Sequence, residues 1–297
     1  MSTTRAIAWP SLSRSWAYFA LSKPDVTFLV VLTTGAGFYL GAGRSLDWPR
    51  LFNTVLATTL VAAGTSALNQ FVERAADARM RRTASRPLPL GQLQPREAFF
   101  FGASLVLAGI GYLLLLTNVL AASLALATCA MYLGIYTPLK RRTTFATAIG
   151  AFPGAVPPLI GWAAARGSLG VGAWILFAIL FLWQFPHFYA IAWMYREDYS
   201  RAGIRMLPVV DREGTATFTQ IIGTAALLIP VSLLPSVIGL AGVRYFFGAV
   251  ALGMALVQIC LWAARSKTNF RAKWLMHATV LHIPLLLGLL IFDKITK

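Results

Sequence analysis

Charged residues are scarce in this sequence of 297 residues. Asp, Glu, Lys and Arg together make up 12% of the chain, and only ten residues are acidic. Because about a quarter of the residues in soluble domains are charged, this deficit excludes an ordinary soluble fold. Hydrophobic residues make up 58% of the chain, and the mean hydropathy is +0.68. The composition therefore predicts an all-α polytopic membrane protein embedded in a lipid bilayer.

Cysteine is also rare. The two cysteines, Cys129 and Cys260, lie in different apolar runs, and neither has a CxxC partner. This arrangement predicts neither a disulfide nor a zinc site.

A cleavable signal is missing as well, because the first 25 residues contain no apolar core followed by a small-residue cleavage site. We interpret residues 1–25 as a cytoplasmic amino-terminal segment, with a mitochondrial transit peptide as the alternative. Residues 26–293 are expected to form a single membrane domain, and residues 294–297 a short carboxyl-terminal tail.

Long apolar runs, by contrast, are abundant. A helix needs about 20 residues to cross a hydrocarbon core of about 30 Å. Nine runs of that size predict nine transmembrane helices, which we expect to surround a central cavity. The runs are 26–43, 51–72, 98–116, 119–136, 146–164, 171–195, 218–237, 245–264 and 274–292.

Basic residues are distributed unevenly between these runs. Only six of the 26 follow odd-numbered runs or lie in the tail, namely Arg44, Arg50, Arg166, Arg244, Lys294 and Lys297. Since cytoplasmic loops are rich in Lys and Arg, the amino terminus and the loops after even-numbered runs are predicted to be cytoplasmic. We expect a bacterial inner membrane, with the mitochondrial inner membrane as the alternative. The net charge of +16 does not indicate nucleic acid binding, because the basic residues lie between spans.

A polar stripe ends the second apolar run. Asn69, Glu73 and Asp77 are each four residues apart, so on a helix they project from nearly the same side. Two carboxylates one turn apart repel each other unless a cation lies between them. The stripe therefore favours a divalent metal. The alternative is that Asp77 pairs with Arg81 while Glu73 faces headgroup water.

A dense basic cluster follows the stripe. Its arginines carry guanidinium groups that suit phosphate oxygens, and they are Arg79, Arg81, Arg82 and Arg86. Carboxylates, a metal and arginines together favour a diphosphate substrate. Ordinary topology control by basic residues is the competing explanation, and both can hold at once.

A second polar constellation follows the sixth run on the same predicted side of the membrane. Seven of the ten acids lie in the loops after the second and sixth runs, which predicts a site built from both. Near the end of the sixth run, His187 follows Pro186. An intramembrane histidine is a candidate functional residue, with a structural, hydrogen-bonded histidine as the alternative.

The loop after the fourth run is short and basic, with Lys140 and Arg141 suited to a diphosphate or, alternatively, to topology control. The next run is interrupted by Pro153, Pro157 and Pro158. Because a broken helix leaves backbone groups without partners in lipid, we expect this run to be buried against the active chamber.

Several of these stretches carry a family resemblance. The stripe at Asn69, Glu73 and Asp77 continues as MRRTASRPLP (80–89), and later stretches are YTPLKR (136–141), PHF (186–188) and DYSRAGIRMLP (198–208). Together they resemble the UbiA-type intramembrane prenyltransferases and, within them, the protoheme IX farnesyltransferase branch. The likeness extends over residues 23–293.

Two positions depart from the wider family. Glu73 stands where the wider family usually has aspartate, and the usual DxxxD of the second motif is Tyr195-x3-Tyr199, with Asp198 inside it. The heme branch shares the tyrosine-containing form. The ligands of a second metal therefore stay open.

The resemblance implies transfer of a farnesyl group from farnesyl diphosphate to a vinyl group of protoheme, with addition of water and with Mg²⁺ as cofactor. A heme A synthase or an oxidase assembly factor is a candidate partner. The implied metal ligands are Asn69, Glu73, Asp77 and Asp198; the implied diphosphate ligands are Arg82, Arg86, Lys140 and Arg141; the implied acceptor contacts are His187, Tyr195 and Tyr199.

Three other functions are alternatives at this stage. A related prenyltransferase could act on a quinone precursor or a chlorophyll-type acceptor. A secondary transporter also has many spans and broken helices, although its coupling carboxylates usually lie near the bilayer midplane. A heme-binding assembly protein would bind heme without consuming farnesyl diphosphate.

Overall fold

Helices make up most of the part of the molecule that the structure describes. The structure, a computed structural model, describes residues 13–295; residues 1–12 of the predicted amino-terminal segment and 296–297 of the predicted tail lie outside that range. The described chain contains a π-helical turn, Met131–Tyr136, and α1 (Arg14–Leu21), α2 (Pro24–Gly41), α3 (Trp48–Asp77), α4 (Pro95–Leu116), α5 (Val119–Ala130), α6 (Thr137–Leu139), α7 (Ala146–Ala155), α8 (Pro157–Arg166), α9 (Val171–Met194), α10 (Arg196–Arg201), α11 (Leu207–Val210), α12 (Thr215–Val237), α13 (Val243–Ser266) and α14 (Asn269–Phe292).

The predicted transmembrane helices are confirmed. Between residues 13 and 295, nine helical segments are long and apolar enough to cross a membrane. Seven are single helices, the fourth combines α5, the π-helical turn and α6, and the fifth combines α7 and α8. Large apolar side chains on their outer faces are open, as at Leu107 and Leu115, which are 72% and 82% exposed. These faces therefore contact lipid.

Helix α3 is longer than the predicted span 51–72. Its 30 residues extend about 45 Å, well beyond a hydrocarbon core of about 30 Å. It begins at an N-cap in which Asp47 accepts a hydrogen bond from the Arg50 backbone N–H at 2.9 Å. The polar stripe is therefore held on the last turns of a continuous helix rather than in a loop.

Glycines set the closest helix contacts. A Cβ on Gly64 of α3 would lie 2.6 Å from the Gly102 carbonyl oxygen of α4, and one on Gly161 of α8 would overlap the Thr34 carbonyl oxygen of α2. Because hydrophobicity does not drive helices together in lipid, such small-residue contacts are the main source of packing energy there. They fix α3 against α4 and α2 against α8.

We expect the Gly161→Ala variant to be less stable than wild type by about 1 to 3 kcal/mol, because the added methyl group must push α8 away from α2. The measurement is thermal unfolding in detergent. The control is Gly111→Ala, since a Cβ on Gly111 of α4 meets no atom within 4 Å. An unchanged melting temperature for Gly161→Ala would contradict the close contact.

The fifth span is broken and buried, as predicted. Helix α7 ends at Ala155 and α8 begins at Pro157. Gln184 of α9 donates its side-chain amide to the Ala151 carbonyl at 3.0 Å, beside Gly154, where a Cβ would overlap Gln184 Oε1. A polar side chain of α9 thus reaches the backbone of the broken span, which is packed against protein rather than lipid.

Helix α1 lies inside the predicted amino-terminal segment and packs on α3. Its Ala17 and Leu21 are fully buried, and Gln70 of α3 donates its side-chain amide to the Leu21 carbonyl at 2.9 Å. This docking fixes the start of α2, and with it Lys23, beside the polar stripe.

Candidate functional site

The polar stripe of α3 is buried. Asn69, Glu73 and Asp77 are 2%, 5% and 1% exposed, so the alternative that Glu73 faces headgroup water is wrong. Buried carboxylates require cations or hydrogen-bond donors. The stripe is therefore built for positively charged partners.

Each residue of the stripe contacts a cation from a different segment. Nζ of Lys23, directly before α2, lies 2.9 Å from Asn69 Oδ1, and Nη1 of Arg86, in the loop after α3, lies 2.7 Å from Asp77 Oδ2. The third pair is the ion pair of Lys140 with Glu73. Three separate segments thus converge on one helix face.

The partner of Asp77 is Arg86 and not Arg81, which is exposed. The alternative pairing with Arg81 is therefore wrong. The turns after α3 reverse the chain so that Arg86 points back at the stripe, while Thr83 Oγ1 donates to the Asp77 carbonyl at 2.9 Å. The second carboxylate oxygen, Asp77 Oδ1, is buried without a hydrogen-bond partner.

A π-helical turn aims Lys140 at the stripe. In the segment Met131–Tyr136 the helix widens, and Thr137 Oγ1 donates to the Tyr132 carbonyl at 2.8 Å. One extra residue in a helical turn rotates the following residues by about 100°. Thr137 and Lys140 thereby face α3, where Asn69 Nδ2 donates to Thr137 Oγ1 at 3.3 Å. The sequence prediction, which ended the span at Tyr136, missed this turn.

The loop after the sixth span joins the site through Asp198. Its buried carboxylate accepts a hydrogen bond from the Arg82 backbone N–H at 3.0 Å and pairs with Arg201. The Arg82 guanidinium lies over the rings of Tyr195 and Tyr199, 4.9 and 5.8 Å from their centroids. The predicted convergence of the two acid-bearing loops is therefore present, with Arg82 as the connection.

Arg141, the second basic residue predicted from this loop, is not buried at the stripe as Lys140 is. It is exposed one residue beyond Lys140, whereas Lys140 is 8% exposed. Of the two basic residues predicted from this loop, Lys140 is the one that the structure brings to the stripe.

His187 lies deeper in the bundle. It lies on α9, eight residues before Tyr195 at the end of that helix, which corresponds to about 12 Å along the helix. Its Nδ1 lies 2.9 Å from Thr279 Oγ1 of α14, and its ring stacks on Trp183 with centroids 5.0 Å apart. The Thr279 hydroxyl donates to the Met276 carbonyl at 2.6 Å. The Thr279 oxygen must therefore accept a hydrogen bond from His187 Nδ1–H. The lone pair on His187 Nε2 takes no part in this contact.

The comparisons with known proteins agree with this architecture. The family model described as the UbiA prenyltransferase family matches residues 30–282. The chain belongs to the UbiA prenyltransferase family. The membrane helices and this membership make it an integral, multi-pass membrane enzyme that transfers prenyl groups.

Curated relatives of this UbiA-family enzyme cover nearly its whole length. A protein of Solibacter usitatus is 47% identical over 93% of this chain and 98% of its own, and one of Koribacter versatilis is 46% identical over 93% of each. A third, from Salinibacter ruber, is 46% identical over 94% of this chain and 98% of its own. All three are named protoheme IX farnesyltransferase.

Solved structures share the fold. A UbiA homologue of Aeropyrum pernix K1 matches with a TM-score of 0.69 and 18% identity, covering 95% of this chain and 98% of its own. A UbiA homologue of Archaeoglobus fulgidus, bound to DMAPP and Mg²⁺, matches with a TM-score of 0.65 and 14% identity, covering 92% and 98%. The predicted all-α membrane fold and the family resemblance are thus confirmed.

One residue of the site was missed by the sequence prediction. Lys23 marks only the beginning of the family resemblance in the sequence, yet in the folded enzyme it is the partner of Asn69. Burial, together with the nearby Arg86 guanidinium, lowers the pKa of the Lys23 ammonium to about 7. The available signal was a lysine directly before the proline that begins the first span.

Proposed function

We propose that this enzyme transfers a farnesyl group from farnesyl diphosphate to a vinyl group of protoheme, with addition of water, to give heme O for oxidase assembly. The observation that carries the proposal is full-length similarity of 46–47% to proteins named protoheme IX farnesyltransferase. The buried acid and cation pairs on α3 support it, because a diphosphate substrate needs both metal ligands and cations.

We propose that Asn69, Glu73 and Asp77 bind one Mg²⁺ together with the substrate diphosphate, and that Asp198 helps to bind a second ion. The donor set fits, because Mg²⁺ prefers oxygen ligands and Asp77 Oδ1 is a buried carboxylate oxygen without a hydrogen-bond partner. Among residues 13–295 no three His, Cys, Asp or Glu side chains form a metal cluster by themselves, so the Asn69 amide and substrate oxygens complete the ligand set. Bound Mg²⁺ would neutralise charge on the departing diphosphate.

We assign the diphosphate to Arg82, Arg86, Lys140 and Arg141. Lys140 and Arg86 already lie at the stripe in ion pairs with Glu73 and Asp77. Their positive charges stabilise the leaving diphosphate as the allylic C–O bond breaks, in a buried place where such charges act strongly. Arg141 is exposed, and we propose that it contacts the diphosphate from the water side.

We assign the acceptor to His187, Tyr195 and Tyr199. The hydrogen bond to Thr279 holds His187 with its proton on Nδ1 and the Nε2 lone pair free of that bond, which is the form that binds heme iron or orients a water. Tyr195 and Tyr199 contact Arg82, which is one of the proposed diphosphate ligands.

We further propose that residues 26–293 act as one catalytic domain in a bacterial inner membrane, with the amino terminus cytoplasmic. The uneven distribution of basic residues supports this orientation. A heme A synthase or an oxidase assembly factor is the proposed recipient of the product, since a farnesylated heme is poorly soluble in water.

The test is an acceptor assay. Purified enzyme in detergent receives farnesyl diphosphate, Mg²⁺ and either protoheme, a quinone precursor or a chlorophyll-type acceptor, and products are identified by mass spectrometry. We expect a hydroxyethylfarnesyl heme from protoheme only. Prenylation of another acceptor would overturn the heme assignment, whereas heme binding without consumption of farnesyl diphosphate would indicate a heme-binding assembly protein.

A further inference from the structure

The cation contacts of the stripe are not equivalent. Two of them pair a cation with a carboxylate and so are neutral overall, Lys140 with Glu73 and Arg86 with Asp77. Lys23 contacts the neutral amide of Asn69. Within these contacts, protonated Lys23 therefore contributes the positive charge that no carboxylate partner balances.

The orientation of the Asn69 amide is fixed by its other contact. The Thr137 hydroxyl donates to the Tyr132 carbonyl, so it accepts from Asn69 Nδ2. The amide oxygen must then point toward Lys23. This oxygen is the one that we assign to Mg²⁺, so the Lys23 ammonium lies in a position that competes with the metal.

The backbone of Lys23 adopts an energetically unfavourable conformation. Its φ is 44° and its ψ is 69°, in the left-handed region that non-glycine residues rarely adopt. The Lys23 carbonyl accepts the first backbone hydrogen bond of α2, from the Thr27 N–H at 3.0 Å. A strained backbone that persists at a polar site is typical of a functional constraint.

We propose that Lys23 is a further diphosphate-binding residue that excludes Mg²⁺ from Asn69 until the diphosphate arrives. On binding of the magnesium diphosphate, the Lys23 ammonium leaves Asn69 Oδ1 and contacts a diphosphate oxygen, and the amide oxygen becomes available to the metal. This inference rests on the metal and diphosphate site proposed above, and it does not depend on the identity of the prenyl acceptor.

The charges of the site favour this order. A divalent ion alone adds two positive charges to a group that already has one in excess when Lys23 is protonated, whereas a diphosphate brings about three negative charges. The metal alone is therefore repelled by Lys23, and the metal with diphosphate is attracted. The exchange prevents Mg²⁺ from occupying the stripe without substrate.

The test measures Mn²⁺ binding by electron paramagnetic resonance, with and without inorganic pyrophosphate, in wild type, Lys23→Met and Lys23→Asn. Asparagine tolerates the left-handed backbone region better than other non-glycine residues, so this variant tests loss of the ammonium without backbone strain from the new side chain. We expect both variants to bind Mn²⁺ alone about tenfold more tightly than wild type and Mn²⁺ with pyrophosphate about tenfold more weakly.

The matched control is Lys267→Met. Lys267 is the other non-glycine residue with positive φ in the described range, at 48°, and its Nζ contacts the Glu213 carbonyl rather than the stripe. We expect its Mn²⁺ affinities to equal those of wild type.

Two results would overturn the inference. One leaves the proposed metal site intact, and the other rejects it as well. Unchanged Mn²⁺ affinities in both Lys23 variants, with wild-type binding that is lost in Asp77→Asn, would reject the exchange and leave the proposed metal site intact. Wild-type binding that is insensitive to Asp77→Asn would reject the metal site itself, and the role of Lys23 with it.

Discussion

Turnover of the Asp77→Asn variant should fall about 100- to 1,000-fold at ordinary Mg²⁺ concentrations, the range found when one preorganised electrostatic group is removed. Asp77 is 1% exposed, and one of its oxygens has no hydrogen-bond partner in the described structure. The amide keeps the shape of the side chain but removes the charge that we assign to Mg²⁺. The measurement is heme O formation by mass spectrometry with purified enzyme.

The matched control for Asp77→Asn is Glu197→Gln. Glu197 is adjacent to Asp198 in α10 but is exposed, so its loss should leave turnover and melting temperature unchanged. Asp77→Asn should still purify as a folded protein, because the new side-chain amide oxygen can accept a hydrogen bond from Arg86. Turnover within about fivefold of wild type would be far above the expected range and would remove Asp77 from the metal site.

Most of the membrane architecture could be predicted from the sequence, because it depends on local properties. A span needs about 20 apolar residues in a row, and the nine predicted runs correspond to the nine helical segments found between residues 13 and 295. The break before Pro157 was predictable for the same reason, since proline lacks the backbone N–H that a helix needs. The short helices α1, α10 and α11 were not predicted, because they carry no comparable apolar run.

The site was only partly predictable, because its contacts join residues distant in sequence. The spacing of Asn69, Glu73 and Asp77 placed these residues on one face, but it could not show that Lys23 contacts Asn69 across 46 positions. The alternative considered from the sequence was that Asp77 pairs with Arg81, because Arg81 lies one turn on. The chain reversal after α3 instead brings in Arg86. The π-helical turn before Lys140 also has no simple sequence signature.

Lys140→Met should be strongly destabilising, because it leaves the buried Glu73 carboxylate without its cation. Both side chains of this pair are nearly buried, at 8% and 5% exposure. Removing one partner of a buried ion pair costs about 3 to 5 kcal/mol, since the remaining charge has lost its compensation. We expect a clear drop in melting temperature in detergent, together with loss of turnover. Arg142→Met, two residues on and exposed, should have neither effect.

The double variant Lys140→Met/Glu73→Gln separates the two roles of the pair. Neutralising Glu73 removes the uncompensated charge, so most of the lost stability should return, and the two changes should be strongly non-additive. Turnover should not return, because the double variant lacks both a proposed metal ligand and a proposed diphosphate ligand. Recovery of stability without turnover would show that the pair serves the reaction and not the fold. Recovery of both stability and turnover would mean that Lys140 and Glu73 serve only to neutralise each other's charge. The diphosphate assignment of Lys140 would then fail.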